Sequence, residues 1–170
     1  MILIGIGANL PAPDGSAPVA TARWAAGQLG TLPDLHLECL SRWYLSEPVP
    51  PSAQPSYVNA VARLAARSAA EPDPALLLVW LHAIEARAGR VRSERNAART
   101  LDLDIIAMGE GGQTVRSTPD PILPHPRAHL RAFVLVPLRE VAPEWQHPLF
   151  RSNARMLIDA LPPQSIRALA

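Results

Sequence analysis

The segment Leu101-Asp102-Leu103-Asp104-Ile105 constrains this chain more than any other. Its alternation of apolar and acidic residues has the period of two that a β-strand requires, with both aspartates on one face. Carboxylates placed this way stand about 7 Å apart at their backbones and repel by roughly 2 kcal/mol at an effective dielectric of about 20. A divalent cation between them reverses the sign. Hard carboxylate oxygens suit Mg2+, which takes one or two carboxylates together with substrate phosphates and water. The plainer alternative is a half-buried strand with a solvated acidic face.

The residues just before this strand bear on that choice. Arg87, Arg90, Arg92, Arg95 and Arg99 fall within thirteen positions. A cationic loop beside an acidic pair is what a polyphosphate carrying Mg2+ requires, the arginines meeting phosphate oxygens and the carboxylates meeting the metal. Direct neutralisation of the aspartates by the loop, with Glu85 and Glu94 joining in, is the competing account. All 16 basic residues are arginine, so a phosphate loop built on lysine is excluded. Bound phosphate would have to be held by arginine, backbone amides, histidine or metal. A net charge of +1 is too balanced for a protein that coats nucleic acid non-specifically.

The 170 residues suit one domain over 1–170, and 48% hydrophobic content argues against disorder. No apolar run approaches the roughly 20 residues of a membrane span. The N-terminus lacks a basic n-region, and Cys39 is the sole cysteine, so the expectation is a cytoplasmic protein without leader or disulfide framework.

Periodicity predicts strands over 2–6, 35–42, 57–64 and 101–108, and helices over 19–29, 72–88 and 153–161. Residues 46–55 form a proline-rich loop and residues 109–124 a long connection. Phe133 to Leu138 is apolar and expected at the core edge. Strand, helix, strand, strand, helix, strand is the split βαβ order, so the predicted class is α+β, with a ferredoxin-like βαββαβ core, a mainly antiparallel sheet and a C-terminal extension.

Further candidates lie outside the acidic strand. Gly5-Ile6-Gly7-Ala8-Asn9-Leu10 is not a dinucleotide fingerprint, because Leu10 stands where the third glycine would be. These glycines instead suit a tight turn where backbone comes close to a neighbour or ligand. Tyr57 and Asn59 share a strand face, and an aromatic ring beside an amide suits a flat heterocycle. His125, between Pro124 and Pro126, sits on stiff backbone and is able to donate a hydrogen bond to phosphate. Each has a plain alternative in sheet packing or a surface loop.

Five segments together resemble the hydroxymethyldihydropterin pyrophosphokinase family, in its order and near its spacing. They are Ile6-Gly7-Ala8-Asn9-Leu10; Ser46-Glu47-Pro48-Val49; Gln54 through Ala60; Ile84-Glu85 through Arg99-Thr100-Leu101-Asp102-Leu103-Asp104-Ile105; and Pro124-His125-Pro126-Arg127 through Leu135. The resemblance implies ATP as donor, two Mg2+ ions arriving with it on Asp102 and Asp104, and a reaction in which the pterin hydroxyl attacks the β-phosphorus and expels AMP. It makes Arg90, Arg92 and Arg99 catalytic. It assigns the nucleotide to His82, Arg92, Ile105, His125 and Arg131. It puts the pterin against Gly7, Ser46, Pro48, Val49, Tyr57, Asn59 and Phe133. The chain departs from the family at Arg95-Asn96-Ala97-Ala98-Arg99, where some members carry Arg-Trp-Gly-Pro-Arg in a loop one residue longer. It also departs at His82, where a glutamine is common, and at Pro50, where a glycine is. A monomer acting on small molecules alone, with neither nucleic acid nor membrane as partner, is expected. Two rivals stay open here: a binding relative without turnover, and a ferredoxin-like RNA-binding module, which the 5% aromatic content disfavours.

Overall fold

A computed structural model describes residues 1–68, 70–91 and 97–169. The central strand β1 (Ile2–Ala8) pairs antiparallel with β5 (Asp102–Ala107) on one side and β4 (Tyr57–Ala66) on the other. The outer edge of β4 is shared. Its C-terminal part pairs with β2 (Leu35–Leu40) and its N-terminal part with β3 (Tyr44–Ser46), and β3 in turn pairs with β6 (Ile166–Ala168). Helices α1 (Pro18–Leu29) and α2 (Pro74–Arg87) follow β1 and β4 in the chain. This is the α+β, ferredoxin-like arrangement expected, with a C-terminal extension of α3 (Ala132–Val141), α4 (Ala154–Asp159) and β6.

The pleat of β1 divides the interior in two. Ile2, Ile4, Ile6 and Ala8 face a core closed by Ala22, Ala25 and Leu29 of α1 and by Leu77, Leu81 and Ile84 of α2. Leu3 faces the other way, into a second core with Val61, Ile106, Trp145 and the α3 residues Val134, Leu138 and Val141. Helix α3 covers only part of that second face. The uncovered part carries Gly5, Gly7, Asn59, Asp102 and Asp104.

Several expectations are refined. The strand expected over 35–42 ends at Leu40, and a register shift between Leu37 and Cys39 within it leaves Glu38 as the extra residue. The shift flips the alternation beyond it, so Leu40 packs on the first core and Cys39 is exposed. The second helix starts at Pro74 rather than residue 72, because the Asp73 side chain accepts from the N–H of Ala75 at 2.8 Å and caps it. It stops before Gly89, whose φ of +74° and contact with Pro13 leave no room for a side chain. Residues 133–138 are helical, within α3. The last helix is shorter than 153–161, with Asn153 as its cap. Among the described residues no helix is long and apolar enough to cross a membrane.

Beyond α3 the chain buries a histidine within an aromatic cluster. His147 is 2% exposed and stacks on Phe150 at 4.3 Å, with His129 edge-on at 5.7 Å. Its Nδ1 accepts the N–H of Leu149. Burial, with His129 adding to it, lowers its pKa to about 4 from the ordinary 6.5. The unfolded chain therefore takes up this proton first, and the stability held above pH 6.5 is lost as the pH falls toward 4. Thermal melts should show the transition temperature dropping across that interval, with a shallower drop for His147→Phe. An equal slope in the variant would place the acid sensitivity elsewhere.

Candidate active site

The exposed part of the second sheet face is the floor of a 310 Å³ cavity. Its shape follows from strand register. Gly7 lies opposite Asn59 of β4 and Asp102 of β5, and Gly5 lies opposite Val61 and Asp104. Two glycines on the central strand thus leave a trough between a β4 column and a β5 column. A Cβ built at Gly7 would stand 3.8 Å from both Asn59 Oδ1 and Asp102 Cβ, so the glycine provides space rather than unusual backbone torsion.

On the β4 side, Asn59 is buried and its orientation is set by donation from Nδ2 to Ser46 Oγ at 2.9 Å and to the Tyr57 carbonyl at 3.2 Å. Tyr57, Phe133 of α3, and the Pro48-Val49-Pro50 loop enclose this end. Two aromatic rings, an apolar loop and an oriented amide make a pocket for a flat, polar-edged heterocycle.

On the β5 side, Asp102 accepts from two guanidinium groups. Arg90 Nη1 donates to its Oδ1, and Arg99 Nη1 donates to its Oδ2 at 2.6 Å. Burial would raise its pKa, but Arg99 and Arg90 outweigh it and hold the carboxyl below its usual range. Asp104 behaves in the opposite way. Burial, then the charge of Asp102, push it up to about 7. A recessed carboxylate that favours a compensating cation, beside a second one, fits Mg2+. Among the described residues no group of three or more His, Cys, Asp or Glu is placed to hold a metal, and a hard cation completed by phosphate and water needs only the two carboxylates.

The third wall is cationic. His125, Arg127 and Arg131 line it. Burial, reinforced by Arg131 and Arg127, lowers His125 to about 4, so it is neutral near pH 7. Its Nδ1 accepts the N–H of Arg127, which assigns the remaining proton to Nε2, 3.8 Å from Asp104 Oδ2. Arg131 stacks over Phe133 at 5.4 Å, so one side chain borders both ends of the cavity.

The structure brings together in this cavity Gly7, Pro48, Val49, Tyr57, Asn59 and Phe133 at one end, and Arg90, Arg99, Asp102, Asp104, His125 and Arg131 at the other. Ser46 stands behind Asn59 rather than on the surface. The Ile105 side chain faces the opposite core, and His82 lies half-buried on α2, outside the lining. Arg92, with Arg95, lies outside the described residues.

The structure adds Arg127 to the lining, for which the Pro-His-Pro-Arg run offers a signal, and it places Gly5 and Gly7 within β1 rather than in a turn. Glu85 was read only as a counter-charge. It is 2% exposed on α2, pairs with Arg90, and accepts the Leu103 N–H at 2.8 Å, between the two aspartates. No spacing rule reveals such a contact.

Comparison with known proteins agrees with this geometry. A family model described as 7,8-dihydro-6-hydroxymethylpterin-pyrophosphokinase (HPPK) matches residues 3–143. The chain is 41% identical over 140 residues to a 2-amino-4-hydroxy-6-hydroxymethyldihydropteridine pyrophosphokinase of Haemophilus influenzae, covering 82% of this chain and 79% of that one. It is 37% identical over 147 residues to the protein of the same name from Pseudomonas aeruginosa, covering 86% and 83%. A solved structure described as HPPK-DHPS in complex with substrates has the same fold, with a TM-score of 0.60 at 13% identity. The match spans 94% of this chain and 44% of that longer one. A family model matching residues 3–143, together with relatives at 37–41% identity over most of their own length, makes this chain a member of the 7,8-dihydro-6-hydroxymethylpterin-pyrophosphokinase family.

Proposed function

We propose that this chain transfers the pyrophosphate of ATP to the hydroxymethyl group of 6-hydroxymethyl-7,8-dihydropterin, releasing AMP, as a step of folate biosynthesis. The observation that carries the proposal is the trough across β1, with a heterocycle pocket at one side and an acid-and-guanidinium cluster at the other. Two substrates laid across one rigid strand are held within reaction distance, which removes much of the entropic barrier to a bimolecular transfer.

In this reading the pterin lies between Tyr57 and Phe133, with Asn59 hydrogen-bonding its edge and Pro48 and Val49 against its ring. The triphosphate runs along Arg90, Arg99, Arg127 and Arg131, with Arg92 joining from the arginine loop. His125 donates from Nε2 to a phosphate oxygen. Its neutrality suits it to a site already crowded with positive charge. Asp102 and Asp104 would hold Mg2+, two ions in all, which when bound supplies neutralisation of phosphate charge. The pterin hydroxyl oxygen forms its bond to the β-phosphorus and gives up its proton to solvent, and the bond from that phosphorus to the oxygen bridging to the α-phosphorus breaks, its electron pair leaving with AMP. The guanidinium groups are placed to stabilise the negative charge that gathers on AMP. The partners are small molecules alone, and the chain acts as a cytoplasmic monomer. An RNA-binding sheet would need an open aromatic face, whereas here α3 covers part of the face and the rest is recessed, with two aspartates where a phosphate backbone would run.

Incubation with ATP, Mg2+ and 6-hydroxymethyl-7,8-dihydropterin should release AMP only when the pterin is present. Binding of both ligands without AMP formation would leave a silent relative instead. Asp104→Ala should lower kcat by about a thousandfold or more, since losing a metal ligand removes several kcal/mol of transition-state stabilisation. Near-normal turnover of that variant at limiting Mg2+ would refute the metal assignment. Asn59→Ala should weaken pterin binding by about tenfold, one buried hydrogen bond's worth, and leave ATP binding unchanged. Equal weakening of both ligands in calorimetry would argue against separate ends of the cavity.

A further inference from the structure

Arg131 is the residue at which the chain leaves the Ala128–Leu130 turn and enters α3. Its backbone is extended, with φ of −128° and ψ of 109°, and its own side chain does not cap the helix it starts. In an extended residue, the carbonyl before it and the N–H after it point to the same side. Here both are taken by one side chain from the C-terminal segment. Gln164 Oε1 accepts the N–H of Ala132 at 2.9 Å, and Gln164 Nε2 donates to the Leu130 carbonyl at 2.9 Å. The amide does for residue 131 what a neighbouring strand would do, and the two bonds together hold its φ and ψ. Gln164 is itself held. Pro162 and Pro163 stiffen the backbone before it. After it, the Ser165 carbonyl accepts the Glu47 N–H at 3.4 Å, and Ile166 of β6 lies opposite Ser46 of β3. Ser46 orients Asn59, and Glu47 leads into Pro48 and Val49. The segment 164–166 therefore bonds to both walls of the heterocycle end, to the loop wall through β3 and to the Phe133 wall through residue 131.

We propose that Gln164 is a positioning residue that sets Phe133 at its distance from the Pro48-Val49 loop, a role that rests on the pterin placement proposed above. Phe133 lies two residues beyond Arg131, so a change in the dihedrals of residue 131 swings the first turn of α3 and the ring with it. A phenylalanine has two side-chain torsions and cannot reach back to its former place. Arg131 is different, because its long flexible stem lets the guanidinium find the phosphates again. Loss of the Gln164 amide therefore falls on the pterin more than on the nucleotide. Contact with the pterin ring is made alike in the ground state and the transition state, so its weakening raises KM and spares kcat.

The test is steady-state AMP release by the full chain with ATP, Mg2+ and 6-hydroxymethyl-7,8-dihydropterin. Gln164→Ala should raise the KM for the pterin about three- to tenfold, the range of one aromatic contact, with kcat and the KM for ATP within about twofold of wild type. Phe133→Leu removes the ring through which Gln164 acts, so adding Gln164→Ala to it should raise the pterin KM by less than about 1.5-fold. Gln164→Glu keeps the length and the acceptor for the Ala132 N–H and, when ionised, has no donor for the Leu130 carbonyl. It should show the same split between the two substrates, and it decides the matter if Gln164→Ala does not fold. In the absence of substrates, the Ala132 amide should exchange with deuterium at least about threefold faster in Gln164→Ala than in the wild type. A pterin KM at the wild-type value, equal rises for both substrates, or an undiminished effect beside Phe133→Leu overturns the role of Gln164, and so does unchanged exchange at Ala132. A wild type that releases no AMP with the pterin overturns the substrate assignment instead, and the exchange measurement then still decides whether Gln164 holds residue 131.

Discussion

Antiparallel register across β4, β1 and β5 is the constraint on which the cavity depends. Gly7 sits between Asn59 and Asp102, and Gly5 between Val61 and Asp104. Adjacent strands lie about 4.8 Å apart, so the β4 and β5 columns stand roughly 10 Å apart across a central strand that bears no side chain at residues 5 and 7. A slip of one residue on β5 would turn Leu103 and Ile105 into the trough and both aspartates into the apolar core. The first core opposes such a slip, because Ile4 and Ile6 of β1 and Leu103 and Ile105 of β5 bury together under α1 and α2. Packing on one face of the sheet thereby holds the chemistry on the other.

The charges on the trough are unequal, and the inequality has use. Asp102 is neutralised by two guanidinium groups, whereas Asp104 is recessed with its proton affinity raised. Buried ion pairs contribute little net stability, because desolvation offsets most of the attraction. Their effect here is orientation. Glu85 reaches from α2 to Arg90 and to the strand between the two acids, so helix, loop and strand are tied at one point. Burial, reinforced by Arg131 and Arg127, keeps His125 neutral and able to donate.

Much of this was legible in the chain. Period-two alternation at residues 101–105 placed both aspartates on one face, and the same rule paired Tyr57 with Asn59. The order of strands and helices gave the fold class. The errors have local causes. A bulge at Glu38 broke an alternation that looked continuous, and the Asp73 cap set a helix start that the apolar pattern extended too far. The helix α3, which contains Pro137, was not recognised, because a short apolar run carries no clear period.

The sequence alone determined the order of elements, the shared face of the two acids and the concentration of arginine before them, since each depends on residues close together in the chain. Only the tertiary structure decided that Asn59 would face Asp102 across Gly7, that Glu85 would reach β5, and that Gln164 would brace residue 131. Those contacts link residues far apart in the chain, and they exist only once strand pairing and the packing of α2 have brought the segments together.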